Sequence, residues 1–184
     1  MAVVGLTPTK WYNNDGLLVA FGRDEAVVTR GGEYGDVDNQ GHVVSVVVDL
    51  TKLPTVASGD TQILADNVTI PNGAQVYRVD VTVTKATTGA TATFDLGLVD
   101  QNRSTEIDFN GLLAAAAITG SAIGKVFGYE VSGSTDTEAS GQGALLGTKI
   151  TNTGLLVGKA GTANFTAGVV LIKVYYTIPL SADL

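Results

Sequence analysis

The sequence predicts an all-β fold, an antiparallel β-sandwich of jelly-roll type with an extended N-terminal arm and one short helix. Three observations carry that prediction. First, Tyr77, Val79, Val81 and Val83 alternate with Arg78, Asp80, Thr82 and Thr84, and Ala92, Phe94, Leu96 and Leu98 alternate with Thr91, Thr93, Asp95 and Gly97. A period of two is that of a half-buried strand. Second, Val170, Ile172, Val174, Tyr176 and Ile178 alternate with Leu171, Lys173, Tyr175 and Thr177 until Pro179 ends the run. Third, 23 glycines sit beside many Val and Thr residues, a mixture that suits short strands and tight turns and that helices avoid.

The chain of 184 residues, 45% of them hydrophobic, reads as one domain able to bury a core; chains of this size bury about 70% of their extended surface. It has no cysteine, so neither a disulfide nor thiolate chemistry contributes. A net charge of −7 argues against nucleic acid as a partner, because a phosphate backbone repels such a surface. The first ten residues lack a basic stretch followed by an apolar one, so no signal peptide is expected and synthesis and first folding are assigned to a cytosol. No apolar run approaches the roughly 20 residues of a membrane span, so no membrane partner is expected.

Residues 1–41 differ in texture from 42–184, and the two are expected to be an arm and a sandwich body. Gly5, Gly16, Gly22, Gly31, Gly32, Gly35 and Gly41, with Asn and Asp turn formers, cut the arm into apolar islands at Trp11–Tyr12, Leu17–Phe21 and Ala26–Val28. Such a segment cannot build its own core and is too apolar to stay solvated. It is expected to lie on the chain's own body or on a neighbouring subunit, as arms do when they add a strand to a sheet edge.

Within the body, Val44, Val46, Val48 and Leu50 are expected to face inward. Val43 and Val47 make the outer face of that strand apolar as well, which implies cover on both sides or packing in an assembly. A loop from Leu53 to Asp60 leads to a short strand at Gln62–Ala65, and Pro71-Asn72-Gly73 is a turn. The runs around Val79 and Leu96, joined by Ala86–Ala90, are expected to form an antiparallel hairpin. Gln101–Glu106 is a polar loop. Asn110–Ile118 is the one helical candidate, capped by Asp108 or Asn110 and ended by Gly120. Val126–Val131 is a strand, Ser132–Gly143 an exposed loop, and Ala144–Ile150 with Leu155–Ala160 a second hairpin about Thr151–Gly154.

The motifs of catalysis do not assemble. His42 is the sole histidine, and its expected place is a turn after Gly41 rather than a triad. There is no Gly-x-Ser-x-Gly elbow. Gly141–Gly147 is one residue too long for a dinucleotide fingerprint and precedes no helix; Gly120–Lys125 is one residue short of a phosphate loop, with Val126 where Ser or Thr is required. Asp36-Val37-Asp38-Asn39-Gln40-Gly41 opens like a calcium loop but has Val47 at the position of the bidentate Glu, which makes it an Asx-rich turn. Glu130, Asp136 and Glu138 read as a solvated charge group, and the sequons at Asn67, Asn102 and Asn164 reflect a Thr-rich chain. No enzyme, metal or cofactor is expected.

The stretch Trp11-Tyr12-Asn13-Asn14-Asp15-Gly16-Leu17, continuing through Phe21-Gly22 and Gly32-Glu33-Tyr34-Gly35, resembles the N-terminal part of capsid-associated proteins of tailed bacteriophages. Val68–Ala74 and Ile107–Leu112 resemble the jelly-roll body of the same group, the decoration or cement proteins of the phage head. The resemblance spans about residues 10–115. It implies a structural protein of the outer capsid surface, often a homotrimer, that clamps neighbouring major capsid protein subunits. It further implies that Trp11, Tyr12, Asn13, Asn14, Asp15, Leu17 and Phe21 form the arm's partner contacts, since aromatic anchors concentrate binding energy. An acidic surface suits the outside of a DNA-filled shell. The alternative is a carbohydrate-binding sandwich on the virion surface, with Tyr129, Tyr175 and Tyr176 as the available aromatics.

Overall fold

The computed structural model describes residues 10–12, 18–20, 41–131, 133–134 and 141–178. Twelve strands are found among them: β1 (Lys10–Tyr12), β2 (Leu18–Ala20), β3 (His42–Asp49), β4 (Gln62–Ile63), β5 (Thr69–Ile70), β6 (Gln75–Thr88), β7 (Thr93–Asp100), β8 (Glu106–Ala116), β9 (Val126–Glu130), β10 (Gly133–Ser134), β11 (Gly154–Gly161) and β12 (Ala167–Thr177). β1 and β2 pair with each other. The others form two antiparallel sheets, one in the order β10-β9-β6-β12-β3, the other β4-β11-β7-β8 with β5 also on β11.

β4 and β5 both pair with β11 and together act as one broken strand. Counted so, and leaving out short β10, the body has eight strands; in space they run first, eighth, third, sixth in one sheet and second, seventh, fourth, fifth in the other. That is the double Greek key of a jelly roll. Of these eight, only β7 and β8 are sequence neighbours that pair; every other connection among the eight crosses from sheet to sheet.

The core lies where the inner faces meet. Val79, Val81, Val170, Ile172 and Val174 from the first sheet and Phe94, Leu96, Leu98, Leu113 and Leu156 from the second are all but sealed from solvent. The alternation read from β12 and from Ala92 to Leu98 therefore holds on the inner side. Pro71-Asn72-Gly73 is a turn as expected: Ala74 N donates to Pro71 O, and Gly73 takes a φ of +88°. The short strand near Gln62, the strand beginning at Val126 and the strand of Val43–Asp49 are likewise present.

Five expectations are corrected here. β6 and β7 form no hairpin: β6 pairs with β12 and β9, β7 with β11 and β8, and the connection between them climbs from one sheet to the other. Alternation reports which side of a strand is buried but not which strand lies beside it. The second expected hairpin fails too. Residues 141–150 instead close one end of the sandwich, with Leu145 N donating to Gly111 O (2.6 Å), Gly147 N to Val76 O (2.7 Å) and Ile150 N to Ala74 O (2.7 Å).

The helix expected at Asn110–Ile118 is strand β8. Its alanines favour a helix locally, but Leu112, Leu113, Ala116 and Ile118 are needed in the core, and tertiary packing overrides propensity. The helical turns among the described residues are short 3-10 segments at Leu50–Lys52 and Val56–Ser58. Fourth, Tyr77 faces out. A bulge shifts the ladder so that Tyr175 pairs with Arg78 but Tyr176 with Val76; Val76 takes the inner position and Tyr77 is left 37% exposed.

The outer face of β7 is also not the polar face expected. Leu96 pairs with Leu113 and Leu98 with Asp108, so β8 carries surplus residues that swing across β7. A Cβ on Gly97 would run into the Asp108 and Phe109 carbonyls. Phe109 thereby packs with Val99, Leu155, Val157 and Ile63 in a small apolar cluster outside the main core. A second bulge sets Ala115 at φ 55°, where its N–H donates to the buried Asp95 Oδ1 at 2.6 Å.

Candidate interaction surface

The residues that the sequence singled out for partner contact are only partly described. Trp11 and Tyr12 lie in β1, opposite Val19 and Leu18 of β2, so this part of the arm pairs with itself. Asn13, Asn14, Asp15, Leu17 and Phe21 lie outside the described residues, as do the calcium-like loop at 36–40 and the acidic Asp136 and Glu138.

The described surface offers another candidate, the outer face of the first sheet. Register fixes it as a grid of three rows across β3, β12, β6 and β9. One row is Val47, Leu171, Thr82 and Val126; the next is Ser45, Lys173, Asp80 and Gly128; the third is Val43, Tyr175, Arg78 and Glu130. With strands about 4.8 Å apart, each row runs about 14 Å. A sandwich face turned to water is normally polar. Here Val47 is 65% exposed and Val126 47%, with Leu171 half-buried between them, so the first row is a largely apolar ridge on what should be the wet side; Val43 of the third row is 55% exposed.

The third row is organised by Arg78. Its Nε donates to Asp80 Oδ1 at 2.7 Å and its Nη1 to Glu130 Oε1 at 2.6 Å, while its guanidinium carbon stands 5.9 Å from the centre of the Tyr175 ring. The Asp80 hydrogen bond raises the Arg78 pKa further, which fixes a charge that is permanent anyway. Burial, and after it the negative charge of Asp80, pushes the Tyr175 phenol above its usual value. Tyr77 lies 6.2 Å from Tyr175 with the rings tilted by 44°. The face thus presents two outward tyrosines beside an ion-paired cluster of one guanidinium and two carboxylates, flanked by the ridge.

β3 ends the first sheet and β4 the second, so both edges open on one side. Between them runs a groove of about 220 Å³ whose apolar lining comes from Val47, Val48, Leu53, Ile63 and Leu64. Asp49 and Lys52 stand at its end, 4.0 Å apart. Thr51 N and Thr51 Oγ1 donate to Asp49 Oδ1 at 3.1 and 2.7 Å and hold its carboxyl below the usual range.

Of the other candidates, His42 opens β3 and stacks on Tyr176 with ring centres 5.1 Å apart. It is a strand residue rather than a turn cap. Tyr129 and Tyr176 point into the core, which leaves Tyr175 of the three tyrosines named for a sugar site. No group of three or more His, Cys, Asp or Glu residues that could hold a metal ion is present among the described residues. The outward apolar character of Val43 and Val47 was visible in the sequence; the joining of Tyr77, Arg78, Glu130 and Tyr175 was not, because it depends on a bulge and on three separate strands.

No family model matches the chain, and no curated protein matches it. Among solved structures, the chain is similar to a chain of the capsid of Ralstonia phage GP4, with 18% identity, a TM-score of 0.49 and coverage of 78% of this chain and 88% of that one. It is similar to a chain in the acidic stable capsid structure of Helicobacter pylori bacteriophage KHP30 (14% identity, TM-score 0.44, 76% and 88% covered). A chain of the cyanophage Pam1 capsid asymmetric unit gives 22% identity and a TM-score of 0.43, with 76% and 86% covered. Likeness at this level describes the course of the chain and carries nothing about what the surface does.

Proposed function

We propose that the chain is a structural, non-enzymatic virion protein on the outer surface of a phage head, made in the host cytoplasm, that cements neighbouring major capsid protein subunits. In this reading residues 1–41 are the arm and 42–184 the body, and three copies associate. The observation that carries a docking role is the apolar ridge of Val47, Leu171, Thr82 and Val126 on the outward side of the first sheet. Exposed apolar surface of this kind, rimmed by polar groups, marks a protein contact. The class of partner comes from the sequence resemblance of residues 10–115, which also assigns Trp11, Tyr12, Asn13, Asn14, Asp15, Leu17 and Phe21 to the arm's grip.

Co-sedimentation with shells of the major capsid protein tests the reading. The parent should pellet with shells, and Val47→Lys with Leu171→Glu should weaken binding at least tenfold while leaving the melting temperature within about 2 °C, because both residues sit on the outer face and, as cross-strand partners, present opposite charges to each other. Equal binding by parent and variant removes the ridge from the contact. Light scattering should give about three times the 18.9 kDa chain mass.

A second reading, a carbohydrate-binding module, is favoured by one feature: Tyr77 and Tyr175 stand together beside Arg78, Asp80 and Glu130. A 44° tilt makes a poor flat platform for a sugar ring. A glycan array separates the readings, since a cementing protein binds shells and ignores sugars.

A further inference from the structure

We propose that the free edge of β3, with the groove beneath it, is the seat of this chain's own segment Ala26-Val27-Val28, laid antiparallel as an additional strand.

The seat is built from described residues. β3 pairs with β12 over its whole length, His42 to Asp49, with no shift of register, and no described strand lies on its other side. Alternate N–H and C=O groups of an eight-residue strand therefore point outward with no ladder partner among the described residues. Natural edges of this length are defended by proline, by lysine or by a bulge. β3 reads His-Val-Val-Ser-Val-Val-Val-Asp and has none of these. It is straight, β-branched and apolar on both faces, which suits an added strand.

The side chains of such a strand would also have somewhere to go. Those turned inward meet the groove at Val48, Leu53, Ile63 and Leu64. Those turned outward stand beside Val43 and Val47, the exposed valines of β3. The first apolar row then extends by one strand.

The length of chain outside the described residues selects the occupant. Residues 21–40 precede Gly41 at the head of β3, and within them Ala26-Val27-Val28 is the one β-branched apolar run; Gly31, Gly32 and Gly35 follow it and permit the reversal. Residues 29–41 span at most about 45 Å when extended, and β3 is about 26 Å long, so the run reaches any point on the edge. Tethering at that distance gives an effective concentration near the millimolar range, which a second copy in dilute solution does not match. The pairing is independent of the cementing role, since it concerns how the arm is carried and not what the outer face binds.

Because the chain has no cysteine, paired cysteines test it cleanly in the full-length protein. Directly opposed residues of an antiparallel pair come within disulfide reach. Val27→Cys and Val28→Cys are each combined with Val43→Cys, Ser45→Cys or Val47→Cys, and mild oxidation should close an intramolecular disulfide in at least one of the six proteins. In the otherwise unaltered chain, Val27→Pro should speed hydrogen exchange at least tenfold at about half of the β3 amides, those turned away from β12. Failure of all six pairs together with unchanged exchange overturns the proposal. Covalent dimers in place of internal disulfides overturn it as well, and assign the edge to a second copy.

Discussion

Gly97→Ala is the substitution that most directly interrogates how the second sheet is built. The ladder between β7 and β8 advances two residues on β7, from Leu96 to Leu98, while β8 passes from Leu113 to Asp108. The surplus residues lie across the outer face of Gly97. An alanine methyl there would collide with the Asp108 carbonyl oxygen and with the carbonyl group of Phe109. These are backbone atoms, which cannot rotate aside, so the excursion must lift by about an ångström to restore ordinary contact in a close-packed interior. Overpacking costs about 1–3 kcal/mol, and the upper part of that range applies. Lifting Phe109 also unroofs Val99, Leu155 and Val157, each less than 5% exposed now. Against this, alanine restricts the unfolded chain and returns roughly 0.4–1 kcal/mol.

The net loss should be about 1–2.5 kcal/mol, or roughly 3–10 °C in melting temperature for a chain of this length. Calorimetry or far-ultraviolet circular dichroism should be used, because Trp11, the sole tryptophan, lies in β1 rather than in the body. Gly120→Ala is the control: Gly120 has a φ of +72° and no atom within 4 Å of an added Cβ, so it loses only the left-handed penalty of about 1–2 kcal/mol. A Gly97→Ala protein that melts within about 1 °C of the parent would refute the excursion over β7. A loss no larger than that of the control would leave close packing without a role.

Asp95→Ala removes the acceptor of the Ala115 N–H and should cost about 1–3 kcal/mol by thermal melting, since a hydrogen bond to a charged acceptor is lost; Asp95→Asn, which keeps an acceptor oxygen, should recover part of it. Ile172→Ala empties a fully buried site shared by both sheets and should cost about 2–5 kcal/mol in urea unfolding. The third prediction concerns alkaline pH. Burial raises the Tyr176 phenol above its ordinary value of 10.0, so the folded chain holds that proton more tightly than the unfolded one. The stability so gained is whole below pH 10 and is lost as the pH rises through the folded value. Tyr176→Phe should therefore flatten the fall of melting temperature above pH 10; parallel curves for parent and variant would contradict it.

What the sequence made legible divides along a physical line. Burial on one side of a strand leaves a mark at every second residue, so β3, β6, β7 and β12 could be read, as could the turn at Pro71-Asn72-Gly73. Pairing leaves no such mark. The β6 to β7 connection looks like a hairpin loop, yet the strands part into different sheets because the jelly-roll winding gives each a partner distant in sequence. β8 was hidden by its alanines, whose helical preference of a few tenths of a kcal/mol each is small beside the burial of Leu112 and Leu113. Bulges were invisible as well, and the one at Tyr77 decides which aromatic residues reach the surface.

The same winding explains why the candidate surface lies where it does. In the order first, eighth, third, sixth, the opening strand of the body is driven to a sheet edge, because the last strand, β12, lies between it and β6. β3 is thus the body strand nearest in sequence to the N-terminal segment and also one whose edge no described strand covers. Val43 and Val47 belong to this strand and to the outer rows at once. An arm strand laid on β3 would widen the apolar ridge without any change in the core, and would hold whatever precedes residue 26 at the same margin of the sandwich. Covering the edge and presenting the face are then two consequences of one strand's position, and substitutions at Val43 or Val47 should disturb both together, whereas Val126, three strands away, should disturb the face alone.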